Sequence, residues 1–551
     1  MPHSRNFIGR NARGLVAMAC VALLALPVIL AQSPSRASNT PQFKPVIPTA
    51  DRHEPGKVFL EHADILELDE SRSRDYQVLS GNVVFRKNDM FMYCDSAYFY
   101  ESTNSLDAFS NVRMEQGDTL FVYADELNYN GMSEIAKLFA NAGKKVRMIN
   151  RDVKLETDQF DYDLTRNVGY YQYGGVLTDR ENRLTSIEGY YYPSSKDAFF
   201  YDDVKLQSLR PNDTLRMYTD SLQYNTFTHI ARLLCDTRII NRDGEILSSS
   251  GNYNTGSGEA RLFSRSTVIT RRGNTLTGDT LFYDRNKGFG EAFGNMVLTD
   301  SARQSTLLGD YGFYNEIADS AFVTGDAVAM EYSRKDTLYM HGDTINAYYL
   351  PDSTRVTNCY RRVRFYRVDI QGLCDSMSVT ESDSLLKMFR HPVVWSGLRQ
   401  ITGNVIHVHL NDSTVDWARL PNMGMVAEHI DEDCFNQLAG KDMKVWINDT
   451  TITRLYAEGN VQVIQFPMEN DSTYNKYSYT ESSTLNATFD NNQVKKIHLW
   501  PETSGNVTPL YLAKRSSYFL PKFRWYDKLR PLSPDEIFDY PPEMDTLLQG
   551  E

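Results

Sequence analysis

Residues 119–130 read TLFVYADELNYN, and the fold of the chain is decided in that stretch. Leu120, Val122 and Ala124 form one apolar parity. Across Asp125 the parity slips by one residue and continues as Leu127 and Tyr129. A period of two is the signature of a strand, and a one-residue slip marks a bulge or corner within it. The same phrase returns as CDSAYF at Cys94, TDQFDY at Thr157, IEGYYY at Ile187, TDSLQY at Thr219 and SGNYNT at Ser250. It continues as GDTLFY at Gly278, GDYGFY at Gly309, GDTINA at Gly342, CDSMSV at Cys374 and GNVIHV at Gly403. With ADELNY at Ala124 these make eleven copies whose second residues are 28 to 33 apart, so the chain reads as one extended array of ~31-residue repeats and not as several globules.

The residue before each corner is small in ten of eleven copies, as expected where two sheet faces approach; Ile187 is the exception. Two residues after the corner an apolar side chain recurs, and four after it an aromatic one: Phe99, Tyr129, Tyr162, Tyr192, Tyr224, Tyr283 and Tyr314. A second phrase recurs as GNV at Gly81, SNV at Ser110, GNMV at Gly294, GDAV at Gly325 and GNV at Gly403 and Gly459. It reads as the turn that opens a strand. Apolar residues almost never recur at three- and four-residue spacing across 57–410, and β-branched and aromatic residues dominate, so the fold class is all-β.

The ends of the chain differ from its middle. Arg5, Arg10 and Arg13 precede an apolar run, Leu15 to Leu30, with Ala31 as a small residue for cleavage, which predicts a signal peptide over 1–31 and export to the periplasm. Residues 32–56 read as a flexible leader, 57–410 as the repeat array, 411–510 as degenerate terminal β repeats and 511–551 as a Pro-rich tail. The tail is expected to cap the last strand's edge, while the edge near Val58–Leu68 stays free to pair with another chain.

Loss of residues 1–31 removes three arginines and no acid, which takes the formal charge from −13 to −16 and argues against a nucleic-acid partner. Cys94, Cys235, Cys359, Cys374 and Cys434 are too few for a disulfide scaffold. His407 and His409 share a strand face, but no third ligand accompanies them, so no metal is expected. The recurring aspartates sit once per copy at a corner, none with a partner of its own, so no enzymatic activity and no cofactor are read from them.

The ordered alternation of GNV phrases with small residue, Asp and an apolar pair ending in Tyr resembles the OstA-like, or LptA-like, family of periplasmic lipopolysaccharide-transport proteins, over roughly residues 57–410. That resemblance implies an elongated open β-jelly-roll, a β-taco, whose apolar interior holds lipid acyl chains. It also implies end-to-end pairing with other envelope transport proteins of similar β fold. The function it implies is a non-enzymatic periplasmic carrier or bridge for lipopolysaccharide or a related glycolipid in outer-membrane assembly of a Gram-negative cell, working in the periplasm up to the inner face of the outer membrane.

From periodicity alone the interior is either a trough that takes a ligand or a self-filled core, the latter suiting a structural or adaptor envelope protein that binds partners by its edges and tail. For a trough, the expected lipid-binding residues are Leu120, Val122, Leu127, Tyr129, Phe160, Tyr162, Leu222, Tyr224, Leu281 and Tyr283.

Overall fold

In the computed structural model the chain divides into two units, Met1–Glu54 and Pro55–Glu551. The structure describes residues 56–68, 75–333, 335–410, 415–448, 451–469, 473–490, 493–544 and 547. The segments read as signal peptide and leader, 1–31 and 32–56, lie outside the described residues except for Gly56. No helix among the described residues is long and apolar enough to cross a membrane.

Among the described residues forty strands join into one antiparallel sheet, and the all-β array expected from the repeats is what they form. Each long strand carries a bend near its middle. Gln77–Lys87 pairs with Met90–Tyr100 through Ser80↔Ser96 and then Val83↔Cys94, so Gly81 and Asn82 together oppose the single residue Asp95. Both residues of the pair are left-handed, with φ of 80° at Gly81 and 44° at Asn82. The same two-residue device recurs at Ser110–Asn111, Gly294–Asn295, Gly325–Asp326 and Gly459–Asn460. The GNV phrases are therefore not turns that open strands. They are corners in mid-strand, where consecutive positive φ values favour Gly followed by Asn or Asp. At Gly325 a Cβ would also come within 2.7 Å of the Asp310 Cβ on the neighbouring strand.

These corners double the sheet over. The strands beginning at Gln77 and Met90 are each 11 residues long, so opposite ends of a flat sheet of them would lie about 35 Å apart. Instead Lys87, at one end, donates from Nζ to the Tyr129 hydroxyl, at the other, over 2.6 Å. The sheet is thus two walls joined along the corner line. Wall A holds residues such as Val83–Lys87, Met90–Cys94, Val146–Asn150 and Val153–Thr157, and wall B those such as Ser96–Tyr100, Ile135–Phe139 and Gln159–Asp163. Their inner faces form one core cluster from Val58 to Ala487.

Acidic corner residues bind the partner corners on the outside. Asn111 Nδ2 donates to Asp95 Oδ2 at 2.7 Å, and Asn295 Nδ2 to Asp279 Oδ2 at 2.6 Å. At these two corners the recurring aspartate thus has a structural role. The Gly403–Asn404 phrase belongs with these acidic-type corners, between the strands Arg399–Gly403 and Val405–Leu410. In the IEGYYY copy the corner residue is the exposed Ile187 itself, with Ser186 buried before it, so the small-residue rule holds there after a one-residue shift.

The Pro-rich tail does not cap the terminal edge. Beyond Pro509 it turns back along the outer face of wall A, where three buried glutamines receive it. Gln437 donates to the Tyr518 carbonyl at 2.7 Å and accepts from the Leu520 N–H at 2.8 Å. Gln400 treats Arg524 and Tyr526 in the same way, at 2.8 Å each. Gln371 accepts from Arg530 Nη2 at 2.7 Å. Each of the first two amides spans a residue pair of the tail as a facing strand would, so the proline-containing segment is held without a backbone ladder. Leu529 and Met544 of the tail close over Leu373, Val393 and Trp395. The last strands, Gln493–Trp500 and Ser504–Pro509, pair only with Lys476–Asp490 among the described residues, and the first, Phe59–His62 and Ile65–Glu67, only with Gln77–Lys87.

Candidate functional site: the interior and its mouth

Every one of the ten residues read as interior faces inward and is buried in the shared cluster. Leu120 and Val122 stand on wall A, the other eight on wall B. Residues of the opposite parity face out: Glu126 and Asn128 are exposed, and Gln223 and Phe282 half-buried. Sequence reasoning missed Tyr171 and Tyr191, which are also buried inward. Tyr191 and not Tyr190 or Tyr192 lines the interior because the corner there is shifted by one residue. Most of wall A was missed as well, for instance Met92, Met148, Leu184, Ile246 and Leu276. Its signal was present as the apolar alternation before each corner.

The space between the walls is filled in a characteristic way. The Phe160 ring lies against Gly169, and the Tyr171 ring against Gly175 and Gly189, where a Cβ would come within 2.5 Å of it. Along the corner the buried small residues are hydroxyls in the central copies. Thr237 donates to Thr219 at 2.9 Å, Ser266 to Ser248 at 2.8 Å, and Tyr171 and Ser186 share a 2.7 Å bond. A hydroxyl packs in the volume of a methyl group while satisfying its own hydrogen bond. Burial pushes the Tyr171 and Tyr191 phenols up to about 12.

Opposite the corner line, the hairpin ends of the two walls meet through polar side chains. Lys87 is buried against Tyr129 and Glu134, with Nζ 2.6 Å from Glu134 Oε1. Burial alone would lower this ammonium, but the bonds to Glu134 and Tyr129 outweigh it and hold it above the usual lysine value. Lys196 donates to Asn150 at 2.9 Å. Tyr224 donates to Asp179 at 2.7 Å and accepts from Asn182 at 2.8 Å. Burial and the Asp179 carboxylate both raise the Tyr224 phenol. Arg285 of wall B reaches Asp243 at 2.8 Å and Asp213 at 3.0 Å on wall A, and Asn274 donates to Tyr314 at 3.0 Å. The aromatic residue four after each corner is thus a cross-mouth contact in several copies, with its ring in the apolar interior and its hydroxyl on the opposite wall's turn.

The remaining sequence candidates have structural surroundings. His409 stacks on Trp417 with ring centroids 5.3 Å apart and lies 3.2 Å from Asp416, while burial lowers His407. No group of three His, Cys, Asp or Glu side chains among the described residues is placed to hold a metal ion. Cys94, Cys235, Cys359, Cys374 and Cys434 are free thiols.

A folded-over antiparallel sheet with an apolar lining, a covalent corner on one side and a polar, noncovalent mouth on the other defines a two-walled β repeat array. Residues 55–214 match the family described as OstA-like protein, the family whose phrases the repeats resemble. Comparison with curated proteins returns no match.

Proposed function

We propose that this chain is a non-enzymatic periplasmic carrier or bridge that takes the acyl chains of lipopolysaccharide, or a related glycolipid, between its two walls on the way to the outer membrane. The observation that carries the reading is the asymmetry of the two margins. The corner side is continuous backbone, whereas the mouth side is held by side-chain contacts at successive hairpin ends, such as Lys87–Glu134 and Asn274–Tyr314. Parting the mouth breaks contacts worth about 1 kcal/mol each when both groups return to water, while the corner stays intact. It would expose Leu127, Phe160, Leu222 and Leu281 to a guest that offers equivalent apolar surface. The OstA-like match over residues 55–214 supports the same role.

A second reading, a self-filled structural or adaptor protein, is favoured by the complete burial of Phe160 and Leu222 against neighbouring side chains. Photocrosslinking separates the two. Probes at Leu127, Phe160, Leu222 and Leu281 in the exported protein should capture acylated glycolipid, and probes at Glu126, Asn128, Gln223 and Phe282 should not. Equal capture at both sets, or none at either, rejects the carrier reading and leaves the adaptor. The strand Gln493–Trp500, which pairs on one side only among the described residues, suits β pairing with envelope proteins of similar fold under either reading.

A further inference from the structure

Between the Tyr224–Asp179 contact and the Asn274–Tyr314 contact, the mouth widens into a concavity of about 620 Å³. Its walls are hairpin turns of both walls, and Tyr283, one of the inward-facing tyrosines, belongs to it. Five arginines and three carboxylates line it, an excess of two positive charges in a chain whose formal charge is −13. The carboxylates do not silence the arginines evenly. Asp213 is shared by Arg285 at 3.0 Å and Arg210 at 2.8 Å, and Asp243 receives Arg285 at 2.8 Å. Arg242 reaches Asp243 only at 3.7 Å and is exposed. Arg271 and Arg272 are exposed on the turn after Thr270, with Glu316 of the opposite wall as the carboxylate nearest in charge to Arg272, and the Arg271 N–H bonds the Asp243 carbonyl at 2.8 Å, which fixes that turn beside the concavity.

We infer that this concavity is an anion subsite for the phosphate of an acylated glycolipid headgroup, with Arg271 and Arg272 as its principal ligands and Arg242 beside them. The inference rests on the carrier reading and adds to it the place where the polar end of the guest is held. A phosphate monoester carries about −1.5 to −2 charges near neutral pH, which matches the local excess. Guanidinium forks bind such oxygens bidentately, and adjacent arginines on one turn present two forks. Tyr283 joins the arginine rim to the apolar lining, so one molecule would meet both, phosphate at the rim and acyl chains beyond Tyr283 and Leu281.

The test compares the full exported chain with its Arg271→Glu/Arg272→Glu variant. Both positions are exposed turn residues, and unchanged circular dichroism would establish that the variant folds. Three probes are titrated: a bisphosphorylated acylated glucosamine disaccharide, its dephosphorylated counterpart and inorganic pyrophosphate. The expected result is at least a tenfold loss of affinity for the phosphorylated glycolipid in the variant, with the two proteins alike toward the dephosphorylated one. Equal affinity of the two proteins for the phosphorylated glycolipid overturns the subsite while leaving the carrier reading intact. If neither glycolipid binds, the carrier reading fails. Pyrophosphate binding that the variant loses then supports an anion site serving a soluble phosphate, and its absence from the wild-type protein overturns the site as well.

Discussion

The array from Gln77 to about Tyr349 and the segment from Arg355 onward solve the same packing problem differently. In the first, burial is mainly on the inner faces of the walls and many strands alternate, as in Val146–Asn150, the tail reaching this region only near its end, where Phe538 packs on His341. In the second, wall A is buried on both faces, because the tail covers its outside. Val393, Val394 and Trp395 are consecutive and all buried, as are Gln371, Gly372, Leu373 and Cys374. Alternation reports one-sided burial, and it disappears where a second layer is added. The comparison shows that loss of alternation toward the end of the chain reflects a covered sheet, not a dissolving one. The longest strand among the described residues lies there, Val415–Asp431, running 17 residues.

Truncation after residue 514 tests this contrast most severely. It should expose Leu373, Val393 and Trp395 together with the buried Arg364, whose guanidinium donates to the Leu529 carbonyl at 3.2 Å. At about 1.5–3 kcal/mol per large apolar side chain, local stability should fall by about 5 kcal/mol. Hydrogen exchange should then accelerate in strands between 355 and 465 and stay unchanged between 77 and 300, since repeats stabilise mainly their neighbours. Uniform acceleration would show that the two regions unfold as one.

A smaller effect is expected from Gln437→Ala. It leaves the Tyr518 carbonyl and Leu520 N–H without the amide that pairs them, at about 1–3 kcal/mol for buried backbone groups. Exchange at Leu520 and its neighbours should rise by one to two orders of magnitude, with the interior of the array silent. Protection that survives the substitution would mean that apolar contact, not the glutamine, holds the tail.

The counterpart in the first region is Glu134→Gln, which removes the carboxylate facing buried Lys87. Glu134 is itself partly exposed, so the loss should be about 2 kcal/mol, below that of a fully buried pair. Lys87 and Thr165 hold the Glu134 carboxyl below its ordinary value despite partial burial. A depressed carboxylate contributes stability that is complete above the unfolded pKa, about 4.3, and is lost as pH falls through the folded value. The mouth at Lys87 should therefore loosen in acid, below about pH 4, in wild type and not further in the variant. A variant with the same acid dependence as wild type would remove Glu134 from the cause.

How much of this was readable beforehand depends on the range of the interaction. The phrase around Asp125 announces strand, corner and inward parity, because alternation and left-handed Gly-Asn pairs are local consequences of backbone sterics. The corners at Asp202–Asp203, Arg361–Arg362 and Arg390–His391 have the same positive φ values with no glycine, and no local pattern announced them. There the neighbouring strands impose the bend. The ten inward residues were legible as a face. Their cross-mouth partners were not, since Lys87 and Tyr129 are 42 residues apart and Asn182 and Thr255 73 apart. Likewise Gln437, Gln400 and Gln371 look like ordinary surface residues of alternating strands until the tail lies on them.

By itself, then, the sequence determined an all-β array, its period, the placement of most corners and which parity turns inward, all of which follow from side-chain alternation and backbone conformation within a few residues. Only the tertiary structure decided that the sheet doubles on itself, that its mouth is held by tyrosines, carboxylates and arginines from distant copies, and that the tail lies on wall A and not along the terminal strand. Those features depend on which surfaces meet after the strands have stacked, and a contact between residues tens or more than a hundred positions apart leaves no periodic trace in either segment.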